Sequence, residues 1–91
     1  MRWMVYILEC TDQTLYTGIT TDLTRRLAEH NAGRGAKYTK GRAPLKLVYS
    51  EACADRSTAL RRERQIKALD RGSKMALIAG WSDRVNDERC L

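Results

Sequence analysis

The sequence has no phenylalanine, one proline, one histidine and three cysteines. Cys10, Cys53 and Cys90 are odd in number, and no two have the spacing of a metal site or a redox motif. They read as reduced structural residues, neither zinc ligands nor nucleophiles. No run of about 18 apolar residues occurs, which excludes a membrane-spanning helix. The chain enters a strand-like segment at once, with no signal-peptide pattern, so a cytoplasmic location is expected. There is no internal repeat and no low-complexity segment. At 91 residues the chain suits one small domain with a modest core.

What is present is an apolar content of 43% spread along the chain, which favours a globular domain over disorder. The net charge is +6. Arg25, Arg26, Arg34, Lys37, Lys40, Arg42 and Lys46 stand close together with only Glu29 to oppose them, and the rest of the chain is about neutral. One concentrated basic segment points to a polyanionic partner such as nucleic acid. A solvated basic face is the plainer alternative.

Trp3 to Leu8 is apolar and rich in aromatic and β-branched residues, as in a strand covered on both faces. Thr11-Asp12-Gln13-Thr14 has turn character, and Leu15 to Ile19 forms a second strand, so the pair makes a hairpin. An odd-length loop centred near Asp12 places Tyr6 opposite Gly18 and Leu8 opposite Tyr16. A two-residue loop would put the tyrosines on opposite faces. We expect the odd-length loop and one shared face.

A helix is expected from a cap at Thr20 or Thr21, with Asp22 in the first turn, to about Asn31, with Gly33 able to end it. Its core stripe comprises 23, 26, 27 and 30. Two of these positions are Arg26 and His30, on one face about 6 Å apart along the axis. A Gly- and Lys-rich loop containing Tyr38 follows. Leu45 to Ser50 reads as a third strand of alternating pattern. A second helix starts near Asp55 or Ser57. Its stripe of Ala59, Ile66 and Leu69 includes Glu63, which Lys67 can pair one turn on. Gly72 is expected to end that helix and Ser73 to cap a third one with Met75, Leu77 and Ile78. The domain is expected over residues 1–80, with 81–91 a tail of low order.

The pattern is β-β-α-β-α-α. It implies an α+β fold with a small three-stranded, mostly antiparallel sheet flanked by helices. Arg26, His30 and Glu63 occupy helix positions assigned to the buried side, where a charge is costly unless paired or part of a wet site. Each has a purely structural explanation. The tyrosines are ordinary core aromatics, Arg26 reaches solvent along its stem, His30 caps a helix end, Glu63 pairs with Lys67 and Gly18 marks a bulge. Their convergence makes that combination less economical than a single site.

These residues resemble the GIY-YIG nuclease superfamily. The half-motifs are Val5-Tyr6-Ile7 and Tyr16-Thr17-Gly18, the second followed by Ile19-Thr20. Arg26 lies within Leu23-Thr24-Arg25-Arg26-Leu27, His30 within Glu29-His30-Asn31, and Glu63 ends Ala59-Leu60-Arg61-Arg62-Glu63. The resemblance covers about residues 2 to 80 and is nearest to the small stand-alone bacterial members. Val5 replaces the first glycine, which suits a residue facing the core. The asparagine that many members carry near the third helix has no counterpart in Arg71-Gly72-Ser73-Lys74. No attached recognition domain is seen, so cutting of low sequence specificity is expected.

The resemblance implies metal-assisted hydrolysis of DNA phosphodiesters, with a role in DNA repair or processing. Glu63 would hold one divalent cation, Mg²⁺ or Mn²⁺, with water completing the shell. Arg26 would bind a phosphate oxygen. Tyr6 would orient or deprotonate water, assisted by Tyr16. A phenol titrates near about 10, so this base needs nearby positive charge to lower it. His30, near about 6.5, competes for that role. Gly18 would leave room opposite Tyr6. Arg25, Arg34, Lys37, Tyr38, Lys40, Arg42 and Lys67 would contact nucleic acid without reading sequence, with Tyr38 able to stack on an exposed base. A binding module with little or no nuclease activity is the alternative, and a protein-binding domain is a third reading. A monomer is the default.

Overall fold

The computed structural model describes the backbone of residues 2–90 and the side chains of residues 2–81. Its elements run β1 (Trp3–Glu9), β2 (Leu15–Thr20), α1 (Leu23–Asn31), a single 3-10 turn (Lys37–Thr39), β3 (Lys46–Cys53), α2 (Arg56–Ala68) and α3 (Arg71–Cys90). The strand order is β2-β1-β3, and both pairings are antiparallel. The fold is therefore α+β, as the pattern of elements implies. Where a tail of low order is expected over 81–91, the backbone continues as helix α3 to Cys90; the side chains beyond residue 81 and all of residue 91 lie outside the described residues. No helix of the described residues is long and apolar enough to cross a membrane.

The hairpin adopts the odd-length loop. Tyr6 stands opposite Gly18 and Leu8 opposite Tyr16. The Cys10 N–H donates to the Thr14 carbonyl at 2.9 Å, closing a loop centred on Asp12. The Asp12 carboxylate holds the turn through Thr14 Oγ1 at 2.6 Å, and Gln13 takes a positive φ of 68° at its tip.

Four local expectations need correction. Neither Thr20 nor Thr21 caps α1. Thr20 stays in β2, buried, and its hydroxyl accepts the Asp22 N–H at 3.1 Å. Asp22 is the cap, its carboxylate accepting from the Arg25 N–H at 3.1 Å. A charged acceptor meets the free N–H groups of a helix start more strongly than a hydroxyl does.

The second correction concerns β3, which runs past Ser50 to Cys53 and does not alternate cleanly. A bulge opposite Ile7 and Leu8 leaves both Val48 and Tyr49 on the same buried side. Thirdly, Gly72 does not end α2, which closes at Leu69. Fourthly, Ser73 does not cap α3. Asp70 accepts the Ser73 N–H at 2.7 Å, so Gly72 and Ser73 fall in the first turn of α3. Helix α1 ends as expected near Gly33, whose φ is +78°. Gly33 N–H donates to the His30 carbonyl and Arg34 N–H to the Glu29 carbonyl, the paired bonds of a Schellman turn.

The sheet carries a different core on each face. Val5, Ile7, Val48, Tyr49 and Cys53 pack with Ala59 and Ile66 of α2 and Ile78 of α3. Tyr6, Leu8, Cys10 and Leu45 pack beneath Leu23 and Leu27 of α1. Val5 thus faces the core opposite Tyr6, as its place in the first half-motif requires. Cys10 and Cys53 are free and buried.

Candidate active site

Tyr6 projects from β1 toward α1, and Tyr16 projects beside it from β2. Their ring centroids are 6.3 Å apart. His30, in the last turn of α1, lies 6.0 Å from the Tyr6 ring and 5.2 Å from the Tyr16 ring. The three rings form one cluster.

His30 is fully buried, and both of its ring nitrogens are engaged. Nε2 lies 2.9 Å from the Tyr6 hydroxyl and Nδ1 lies 2.7 Å from Thr39 Oγ1. Thr39 Oγ1 donates its proton to the Ala36 carbonyl at 2.9 Å, so it accepts from Nδ1–H. The network therefore assigns a neutral imidazole with its proton on Nδ1 and its Nε2 lone pair on the Tyr6 O–H. Among the described residues no buried side-chain nitrogen or oxygen lacks a partner.

Electrostatics follow from burial. The Tyr6 hydroxyl is pushed up to about 12, chiefly because burial disfavours the phenolate, while the Arg26 guanidinium pulls the other way. Tyr16 shifts upward for the same reason. The lowering that a tyrosine acting alone as base would need does not occur: desolvation outweighs Arg26. His30 is lowered, first by burial and then by Arg26. Its Nε2 accepts the hydrogen bond from the Tyr6 hydroxyl. Arg26 also meets Glu29 at 3.4 Å. Glu63 adds negative charge at both tyrosines, and its side chain is 17% exposed.

Gly18 belongs to the same geometry. A Cβ there would fall 2.6 Å from the Tyr6 hydroxyl oxygen and 3.1 Å from Tyr16 Cε1. The missing side chain is what lets the two rings approach.

The basic residues divide. Arg25, Arg34, Lys37 and Lys40 are exposed. Arg42 is engaged within the fold. Its NH1 pairs with Asp12, its Nε donates to the Tyr38 carbonyl at 2.7 Å, and its guanidinium lies 4.5 Å from the Tyr38 ring centre. Tyr38 stacks on Tyr16 with centroids 6.0 Å apart. Lys67 sits 3.6 Å from Glu63, so the pairing read from their spacing is present.

Sequence reasoning missed Thr39 and Gly35. A Cβ on Gly35 would fall 2.2 Å from His30 Nδ1, so that loop backbone lies flat against the imidazole. A Gly-rich loop signals a close approach somewhere, but not which ring it approaches.

With this geometry in view, residues 2–76 match the GIY-YIG catalytic domain family. The chain belongs to the GIY-YIG family. Its relatives include a UPF0213 protein of Natronomonas pharaonis, 55% identical over 82% of this chain and 88% of that one. A UPF0213 protein of Vibrio cholerae is 52% identical over 88% of this chain and 80% of that one. Such GIY-YIG relatives are small single-domain proteins whose names state no activity. Among solved structures, the solution NMR structure of a UPF0213 protein from Bacillus halodurans aligns with a TM-score of 0.57. It is 47% identical and covers 87% of this chain and 84% of that one. A solution NMR structure of an E. faecalis protein aligns with a TM-score of 0.63 at 37% identity, covering 90% and 88%.

Glu63 suits a hard, hydrated ion. It is one largely buried carboxylate beside two tyrosines, and no group of three His, Cys, Asp or Glu gathers among the described residues. A single carboxylate would hold a hard cation such as Mg²⁺ or Mn²⁺, with water completing the shell.

Proposed function

We propose that this GIY-YIG domain is an endonuclease that hydrolyses DNA phosphodiesters with little sequence selectivity and uses one divalent cation, Mg²⁺ or Mn²⁺. A role in DNA repair or processing accords with that activity. The observation that carries the reading is the Tyr6–His30 hydrogen bond, on a tyrosine whose hydroxyl feels both the Arg26 guanidinium and the Glu63 carboxylate.

The residues divide the work as follows. With its hydroxyl pushed up to about 12, Tyr6 is not a phenolate at neutral pH. It takes a proton from water only as its own proton passes to His30 Nε2 along the 2.9 Å bond. His30 can accept it because Nε2 is unprotonated, and Thr39 holds the ring in that tautomer from the other side. Arg26 offsets charge on a non-bridging phosphate oxygen. Tyr16 orients the water beside Tyr6. Glu63 holds the cation, which supplies charge neutralisation at the phosphate and the leaving oxygen.

The decisive measurement is nicking of supercoiled plasmid with Mg²⁺ or Mn²⁺ against chelator. Wild-type protein nicks only with metal, and Glu63→Ala does not nick while keeping the same circular dichroism spectrum. Undiminished nicking by Glu63→Ala would remove the metal assignment. One observation favours a nucleic-acid-binding module instead: the Lys67 ammonium already sits against Glu63. Salt-dependent DNA binding without metal-dependent nicking would select that alternative.

A further inference from the structure

The loop between α1 and β3 touches the ring cluster with two neighbouring residues. Thr39, 1% exposed, holds His30 Nδ1 from within, and Tyr38, 44% exposed, lies against Tyr16. Both belong to the single 3-10 turn Lys37–Thr39, so whatever fixes that turn fixes both contacts. We propose that Asp12, in the β1–β2 turn and outside the ring cluster, is a positioning residue for this site: through Arg42 it clamps the turn that sets Tyr16 and His30 against Tyr6. Its effect on rate rests on the nuclease reading; the clamp itself rests on the contacts alone.

Arg42 is the middle of the relay. Its backbone N–H donates to the Thr39 carbonyl at 3.1 Å and its Nε to the Tyr38 carbonyl at 2.7 Å, so one residue holds two carbonyls of the turn. Its guanidinium also lies 4.5 Å from the centre of the Tyr38 ring. Asp12 fixes where that guanidinium points. Oδ2 pairs with Arg42 NH1, while Oδ1 accepts from the Thr14 N–H at 3.2 Å and from its hydroxyl at 2.6 Å. One carboxylate oxygen shapes the hairpin and the other holds the loop. The hairpin turn is braced in its own right. The Thr11 N–H donates to the Arg42 carbonyl at 3.0 Å, and Arg71 of α3 donates to the Gln13 carbonyl at 3.0 Å.

Stability does not account for the Asp12–Arg42 pair. The two side chains are 46% and 36% exposed, and ion pairs so open to water add little to folding. The turn needs only the bonds to Thr14. What the pair supplies is direction, because a planar guanidinium held at its Nε and NH1 is fixed over the ring it covers. Tyr38 in turn packs on Tyr16, which meets Tyr6 at 6.3 Å and His30 at 5.2 Å between centroids. Between Gly33 and Gly41, both at positive φ, the loop has no regular element besides the 3-10 turn, so such contacts must hold it in place.

Asp12→Asn isolates the clamp, since asparagine keeps an oxygen for Thr14 and turns an amide N–H toward Arg42. The primary readout is NMR of the imidazole nitrogens, which is unambiguous because His30 is the only histidine. Wild-type protein shows one neutral tautomer with its proton on Nδ1. In Asp12→Asn, and in Arg42→Gln, the two nitrogen signals move toward each other as the second tautomer becomes populated. The Tyr16 ring resonances move toward those of an unstacked tyrosine, and the unfolding midpoint stays nearly constant. The double variant goes no further than either single one, because both cut the same link. In plasmid nicking, kcat falls roughly 10–10²-fold with KM little changed, the scale of a misplaced catalytic group. Unmoved imidazole and Tyr16 signals in both variants, or additive effects in the double variant, would overturn the clamp. Moved signals with unaltered nicking would overturn the positioning role. Protein that never nicks plasmid, yet whose signals move in the variants, would refute the nuclease reading and leave the clamp standing. Wild-type nicking with signals unmoved in the variants would do the reverse.

Discussion

The two faces of the sheet make an instructive comparison, because each buries one tyrosine hydroxyl and treats it differently. Under α2, Tyr49 donates to Glu51, and Arg62 closes on the same carboxylate oxygen at 3.0 Å. Under α1, Tyr6 donates to a neutral imidazole. A carboxylate already neutralised by an arginine has little appetite for a further proton, whereas Nε2 of His30 has an open lone pair. One face uses its tyrosine to hold the fold. The other ties its tyrosine hydroxyl to the lone pair of a neutral imidazole. β1 supplies both faces through the alternation of its side chains.

That contrast can be broken most severely on the apolar side. Ile7→Ala should cost about 2–5 kcal/mol of stability, because Ile7 is completely buried between β3 and the helices and its loss leaves a cavity. Thermal or urea unfolding measures it. Metal-dependent nicking by the folded fraction should be little altered.

Arg26→Ala should act in the opposite sense. Nicking should fall roughly 10²–10³-fold, as for loss of one preorganised transition-state donor. Its half-buried ion pair with Glu29, still open to solvent, carries little stability, so the melting temperature should stay nearly constant. A large loss of stability with intact nicking would reverse the proposed roles of the two faces.

Gly35→Ala sharpens the comparison at a residue away from both strands. Its new Cβ would collide with the imidazole, and a shift of the ring or loop should cost about 1–3 kcal/mol. Because the His30–Tyr6 bond moves with the ring, nicking should fall as well. An unaffected rate would mean that the orientation of His30 is irrelevant.

A smaller effect is read from pH. His30 is the only histidine in the chain. Its folded pKa lies below its unfolded value of 6.5, so below that pH the unfolded chain binds more protons and stability is lost as pH falls toward the lowered value. Unfolding curves should show this loss, and His30→Gln should lack it. Tyr6 acts at the other extreme: with its hydroxyl raised from 10.0 to about 12, stability should decline as pH rises through that interval. The smallest change is expected from Lys37→Ala combined with Lys40→Ala. Both side chains are exposed, so DNA binding should weaken modestly and its salt dependence should flatten. An unchanged slope would remove this loop from the interface.

Much of the site could be read before any coordinates. The pairing of Tyr6 with Gly18 followed from the odd hairpin loop, and Arg26 and His30 followed from helical spacing. Glu63 was marked by its place between Ala59 and Ile66. The errors lie where a short polar side chain decides a boundary. Asp22 and Asp70, rather than Thr20 and Ser73, meet the helix starts. The bulge at Val48 was hidden because an extra residue in a strand leaves no mark on local composition.

Local periodicity, written between residues a few positions apart, determined the strands, the helices and the face each side chain takes. The chain's order alone brought tyrosines, arginine, histidine and glutamate into range. Only the tertiary structure decided their chemical states. Burial raised Tyr6 against the pull of Arg26. Thr39, nine residues from His30, set its tautomer and so aimed its lone pair at Tyr6, 24 residues away. Protonation depends on solvent exclusion and on partners met across space, and neither quantity exists until the loop closes over the helix.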